Sequence, residues 1–181
     1  MPDASPPVFL VGMMGAGKST IGARLAARLG RRFVDLDAEV EREVGTTVQA
    51  VFTERGEPAF RALEGKVLRT AELDGAVVAT GGGLLIDPMN AAFVLSRGAV
   101  VYLRAQAATL AARIVGDARP LLAGTRAGSS DRTARLEELL RARGASYERA
   151  HFTIDTDFLD VEQVVDEIAV NLAASKTRVL T

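Results

Sequence analysis

The sequence predicts a three-layer α/β fold, a five-stranded, mainly parallel sheet with helices on both faces. Three observations carry that expectation. Short apolar runs of β type alternate with helical patterns along the chain. Runs such as Val8–Val11 and Ala76–Ala79 are apolar throughout, as strands covered on both faces are. The first of them leads through a glycine-rich loop directly into a helical pattern.

Taken in order, the first strand is Val8–Val11, bounded upstream by Pro6-Pro7. A helix follows over Lys18–Leu29, where Ile21, Leu25, Ala26 and Leu29 recur at helical spacing until Gly30 stops the pattern. A short strand at Arg32–Leu36 precedes helical patterns at Ala38–Val44, Val48–Arg55 and Pro58–Glu72. Strands at Ala76–Ala79, Ala99–Leu103 and Phe152–Ile154 complete the sheet, with helices at Asn90–Ser96, Ala107–Val115 and Arg132–Ala142 between them. The last helix has Asp160 as N-cap with Gln163 three residues on, and buries Val161, Val164, Val165, Ile168 and Leu172 on one stripe.

Two stretches depart from this rhythm. Across residues 36–73 helices follow one another without an intervening strand, which predicts an inserted helical substrate subdomain. Residues 116–132, GDARPLLAGTRAGSSDR, are rich in Gly, Ser and Arg with little apolar periodicity, the composition of a mobile lid. Residues 175–181 read as a frayed tail. Nothing divides the chain further, so residues 1–181 are expected to form one domain.

Composition narrows the function classes. The chain has 181 residues, 48% of them hydrophobic, enough for a core that folds unaided. With 22 basic and 23 acidic residues the net charge is −1, which argues against bulk attraction to nucleic acid or to an anionic membrane. It has no cysteines, hence no disulfide framework and no thiolate metal site. Neither a basic leader nor a long apolar run is evident, so a soluble cytoplasmic monomer is the default expectation.

The chemistry concentrates in Gly12–Thr20, GMMGAGKST, a complete G-x-x-x-x-G-K-[ST] loop placed between strand and helix. Gly12, Gly15 and Gly17 let the backbone curl so that successive N–H groups, with Ala16 and Thr20 in the same cradle, face phosphate oxygens at a helix N-terminus. Lys18 would reach the β- and γ-phosphates, and the Ser19 hydroxyl would ligate Mg²⁺. Binding of a nucleoside triphosphate such as ATP follows, against the alternative of an empty glycine-rich turn.

Other residues address a second substrate, each with a plainer alternative. Alternation along the strand places Asp35 and Asp37 on one face. One would act through water on Mg²⁺ and the other receive a proton from a hydroxyl, unless Asp37 merely caps the next helix. Arg61, taken alone, is an exposed helical arginine paired with Glu57. Gly81-Gly82-Gly83 after Thr80 suggests a ligand pressed against bare backbone. Arg119 opens Arg-Pro-Leu-Leu in the lid and is either a phosphate ligand or a solvated arginine. Arg132, Arg135, Arg141 and Arg143 read mostly as a solvated face. His151, the only histidine, reads as structural.

As a set, GMMGAGKST, FVDLD, FRALE, ATGGG, RPLL and R-x-x-x-Y resemble the shikimate kinase family, a nucleoside-monophosphate-kinase-like branch of P-loop proteins, over about Val8 to Leu172. The resemblance implies a P-loop kinase fold and transfer of the ATP γ-phosphoryl group to the 3-hydroxyl of shikimate. It implies that Asp37 contacts the shikimate hydroxyls as proton acceptor, that Asp35 positions Mg²⁺ through water, and that Arg61 and Arg143 grip the shikimate carboxylate. It further implies Gly81, Gly82 and Gly83 against the substrate, Arg119 on the nucleotide phosphates, and Arg113 with the Asp155 segment at the adenine. The chain departs from the family pattern at Ala145, where a proline is common, and at Asp157–Asp160, which lacks the basic residues of some relatives. Related kinases of gluconate or of a nucleoside monophosphate, and a nucleotide-dependent switch, are the alternatives.

Overall fold

In the computed structural model, which describes residues 5–115, 120–122, 125 and 129–178, five parallel strands lie in the order β2-β3-β1-β4-β5. They are β1 Val8–Val11, β2 Arg32–Asp35, β3 Ala76–Ala79, β4 Ala99–Arg104 and β5 Phe152–Asp155. Every residue of β1 and β3 is buried, which is why these strands are apolar without alternation. Their registers, Val8 with Val77 and with Ala99, put β1 at the centre, and the chain leaves it first toward β2 and later toward β4. That change of direction opens a crevice beyond the carboxyl end of β1, where open α/β sheets bind ligands.

Seven helices appear among the described residues: α1 Lys18–Leu29, α2 Leu36–Val44, α3 Val48–Thr70, α4 Pro88–Arg97, α5 Ala107–Arg113, α6 Ser130–Tyr147 and α7 Val161–Arg178. Helix α1 buries Ile21, Leu25 and Ala26 and ends on Gly30, as the sequence predicts. Helix α7 starts on a reciprocal Asp160–Gln163 capping box, each side chain accepting the other's backbone N–H at 2.9 Å. It buries Val164, Val165 and Ile168 and remains helical through Arg178, into the stretch expected to fray.

The expected helices at Val48–Arg55 and Pro58–Glu72 are both present within α3, separated by the non-helical Gly56 (φ 77, ψ 170) just ahead of Pro58. Within residues 116–132, Pro120–Leu122 form a 3₁₀ turn with Leu122 buried, and the last residues already belong to α6. No helix among the described residues is long and apolar enough to cross a membrane.

Candidate active site

The segments after β1, β2 and β3 bring residues to the crevice. After β1 comes the glycine loop. At Gly12, φ is 139° and an added Cβ would lie 2.6 Å from the Leu103 carbonyl oxygen, so only glycine carries the chain off the strand there. Gly17 caps α1 at φ 90°, placing Lys18 and Ser19 in the first turn. Lys18 Nζ donates to the carbonyls of Gly12 at 2.8 Å and Met13 at 3.0 Å, folded back along its own loop.

Strand β2 ends at Asp35, one residue earlier than the sequence suggests, and this changes how the two aspartates come together. Asp35 is itself the N-cap of α2: its Oδ1 accepts the Asp37 N–H at 3.1 Å. Its Oδ2 accepts the Ser19 hydroxyl at 2.7 Å. Asp37 lies in the first turn of α2 rather than on a strand face. The capping role considered for Asp37 therefore belongs to Asp35, and both carboxylates line the same cavity.

That cavity, about 590 Å³, runs from the glycine loop to α3 and α6. Gly15, Ala16, Gly17, Lys18, Ser19 and Thr20 form one wall. Asp37, Arg61, Arg143 and the Gly81–Gly83 turn form another, with the Phe52–Phe60 ring pair (centroids 4.7 Å apart) beside them.

Arg61 departs from its sequence reading. Its side chain is only 18% exposed, and it pairs with Glu57 at 3.0 Å and with Glu64 at 2.8 Å. Burial alone would lower the Arg61 pKa, but the two glutamates outweigh it and raise the value. Glu64, to which the sequence assigns no role, is fully buried. Its Oε1 accepts no hydrogen bond among the described residues. Burial, opposed by Arg61, holds its carboxyl above the ordinary range. Its position at i+3 from Arg61 was the available signal.

The triple glycine has an immediate reason. A Cβ at Gly83 would run into the Arg61 guanidinium, and one at Gly81 would strike Glu64 Oε1 and stand 3.2 Å from Asp37 Oδ1. Side chains, not only a ligand, press on this backbone.

Arg143 and Arg132, expected on a solvated face, are 5% and 0% exposed. Arg143 donates to the Gly82 carbonyl at 3.3 Å, and Tyr147 one turn later donates to the same oxygen. Arg132 donates to the carbonyls of Ile114, just before the predicted lid, and Thr125, within it, tying both to α6.

Arg113 lines the cavity and donates to Thr156 Oγ1 at 2.9 Å. Asp155 does not line it; its carboxylate is held by Arg104 at 2.6 and 2.8 Å, which lowers its pKa. Gly12 is not among the residues that line the cavity. Arg119 falls outside the described residues. His151 Nδ1 accepts the Val100 N–H at 3.0 Å, a structural tie between β5 and β4.

A family model for shikimate kinase matches residues 14–173. The chain belongs to the shikimate kinase family. A shikimate kinase of Salinibacter ruber is 46% identical over 167 residues, covering 89% of this chain and 81% of the relative. One from Geobacter sulfurreducens is 42% identical, covering 93% and 92%. Among solved structures, shikimate kinase from Acinetobacter baumannii in complex with shikimate superposes with a TM-score of 0.87 at 37% identity, over 96% of each chain. Membership in this family and the cavity agree in kind: a phosphate-binding loop faces a compartment with two arginines and a carboxylate.

Proposed function

We propose that this chain is an ATP-dependent shikimate kinase, transferring the γ-phosphoryl group to the 3-hydroxyl of shikimate to give shikimate 3-phosphate and ADP. One observation carries the assignment: Lys18 on the phosphate loop and the pair Arg61 and Arg143 line a single cavity, with the Gly81–Gly83 turn between them. A polyphosphate suits the first group. A small carboxylate suits the second, because two guanidinium forks offer paired donors to its oxygens.

In the reaction, Lys18 exchanges its carbonyl partners for phosphate oxygens, and the loop N–H groups hold the remaining charge. Arg61 and Arg143 fix the acid, which orients its hydroxyl toward the loop. Asp37 accepts the hydroxyl proton as the oxygen attacks. Arg119, in the Arg-Pro-Leu-Leu segment of the lid, is assigned to the transferring phosphoryl group, and closure of residues 116–132 would exclude water.

Ser19 and Asp35 suit Mg²⁺: both are hard oxygen donors, side by side at the loop. Ser19 would bind it directly and Asp35 through water, and the ion supplies charge neutralisation on the phosphates. Phosphorus NMR of the product tests the regiochemistry. A single monoester coupled to the proton on carbon 3 is expected; a product phosphorylated at another hydroxyl would contradict the assigned orientation.

A further inference from the structure

We propose that Tyr147 is a positioning residue for recognition of the acid: its hydroxyl holds the Gly82 carbonyl so that Arg143 can face the cavity. The inference deepens the carboxylate role given to Arg143 above and rests on it.

Arg143 and Tyr147 are four residues apart on α6 and therefore share a face. Both donate to one acceptor, the Gly82 carbonyl oxygen. The phenol is held from the opposite side as well. Its ring stacks on Tyr102 of β4, with centroids 5.0 Å apart and planes 25° from parallel. Both rings are nearly fully buried. Three elements thus converge: β4 supports the ring, α6 aims it, and the turn after β3 receives the hydroxyl.

A Cβ at Gly82 would sit 3.5 Å from the Gly12 carbonyl oxygen and from the Met14 nitrogen, so the turn lies in ordinary van der Waals contact with the phosphate loop. Burial pushes the Tyr147 phenol up to about 12, and it remains a protonated donor at any pH where the protein works.

A buried carbonyl demands satisfaction. Tyr147 meets that demand and itself accepts from Arg143, which keeps only a long 3.3 Å contact to Gly82 and has its remaining donors for a ligand. Without the hydroxyl, Gly82 has Arg143 alone, and the guanidinium is drawn inward. Arg61 is unaffected, because Glu57 and Glu64 hold it. Tyr147 therefore governs one half of the clamp.

The test is Tyr147→Phe, which keeps the ring stacked on Tyr102 and removes the hydroxyl, both the donor to Gly82 and the acceptor of the Arg143 hydrogen bond. The shikimate KM is expected to rise about three- to tenfold, the worth of one neutral hydrogen bond, with kcat and the ATP KM nearly unchanged. An unchanged shikimate KM, or equal losses on both substrates, would overturn the proposal. If the unaltered enzyme does not phosphorylate shikimate, the functional assignment fails instead. The role of Tyr147 is then read from arginine Nε–H resonances of ¹⁵N-labelled protein, with Arg143 identified by Arg143→Lys. A shifted Arg143 signal in Tyr147→Phe beside an unmoved Arg61 signal supports the proposal; an unmoved Arg143 signal overturns it.

Discussion

Ser19 and Asp35 are joined by a 2.7 Å hydrogen bond, hydroxyl to carboxylate, across the gap between α1 and the end of β2. The same carboxylate caps α2 through the Asp37 N–H. One side chain thus ties Ser19 in the first turn of α1 to the start of the helix that carries Asp37.

Asp35→Asn should therefore loosen magnesium use more than nucleotide contact. The Mg²⁺ concentration for half-maximal activity is expected to rise about tenfold, the lower end for losing an outer-shell metal partner. Titrating activity against Mg²⁺ at saturating substrates measures it. An unchanged midpoint would remove Asp35 from the metal role.

Asp37→Asn keeps the size of the side chain and removes the base. Turnover is expected to fall about 10²- to 10⁴-fold, the usual worth of general base catalysis, with ADP affinity retained. Single-turnover rates and calorimetry separate the two, and near-normal turnover would remove the base assignment.

Arg61→Ala carries two consequences that can be separated. The shikimate KM should rise far more than that of ATP. The variant also leaves the fully buried Glu64 without its 2.8 Å partner. Breaking a buried pair from one side costs about 3–5 kcal/mol, so the melting temperature should fall markedly. The Arg61→Ala, Glu64→Gln double variant should recover much of the stability and none of the substrate affinity. Equal melting temperatures for wild type and Arg61→Ala would mean the pair is not closed in solution.

Glu64 also gives the stability a pH dependence of known sign. Burial chiefly, and Asp37 nearby, raise its pKa against the pull of Arg61. A carboxyl raised in the folded state contributes stability that is complete below its unfolded pKa, about 4.3. That contribution is lost as pH rises through the folded pKa. Glu64→Gln has nothing to titrate. Wild type should lose ground relative to the variant as pH rises above the unfolded value, read from paired thermal melts. A gap moving in the wild type's favour with rising pH would contradict the raised pKa.

Local signals made part of the molecule legible. Strand β1 and helix α1 fall where the apolar run, the glycine loop and Gly30 place them, because each boundary is decided by neighbours in sequence. The Asp160 capping box was visible for the same reason. Long-range packing decided what was not visible. Arg132 and Arg143 read as part of a solvated face, yet both are buried against carbonyls of other segments. The position of Asp37 likewise turned on a cap, since Asp35 ended the strand before alternation could reach residue 37. Resemblance to a family located Arg61 and Arg143, where composition and spacing alone left them on the surface.

The central claim is that the second compartment takes shikimate. It is tested most directly by ADP release with Mg²⁺-ATP and one acceptor at a time: shikimate, gluconate or a nucleoside monophosphate. The account predicts rapid release with shikimate alone. Release with either of the others, and none with shikimate, would contradict the roles given to Arg61 and Arg143 while leaving the phosphate loop in place.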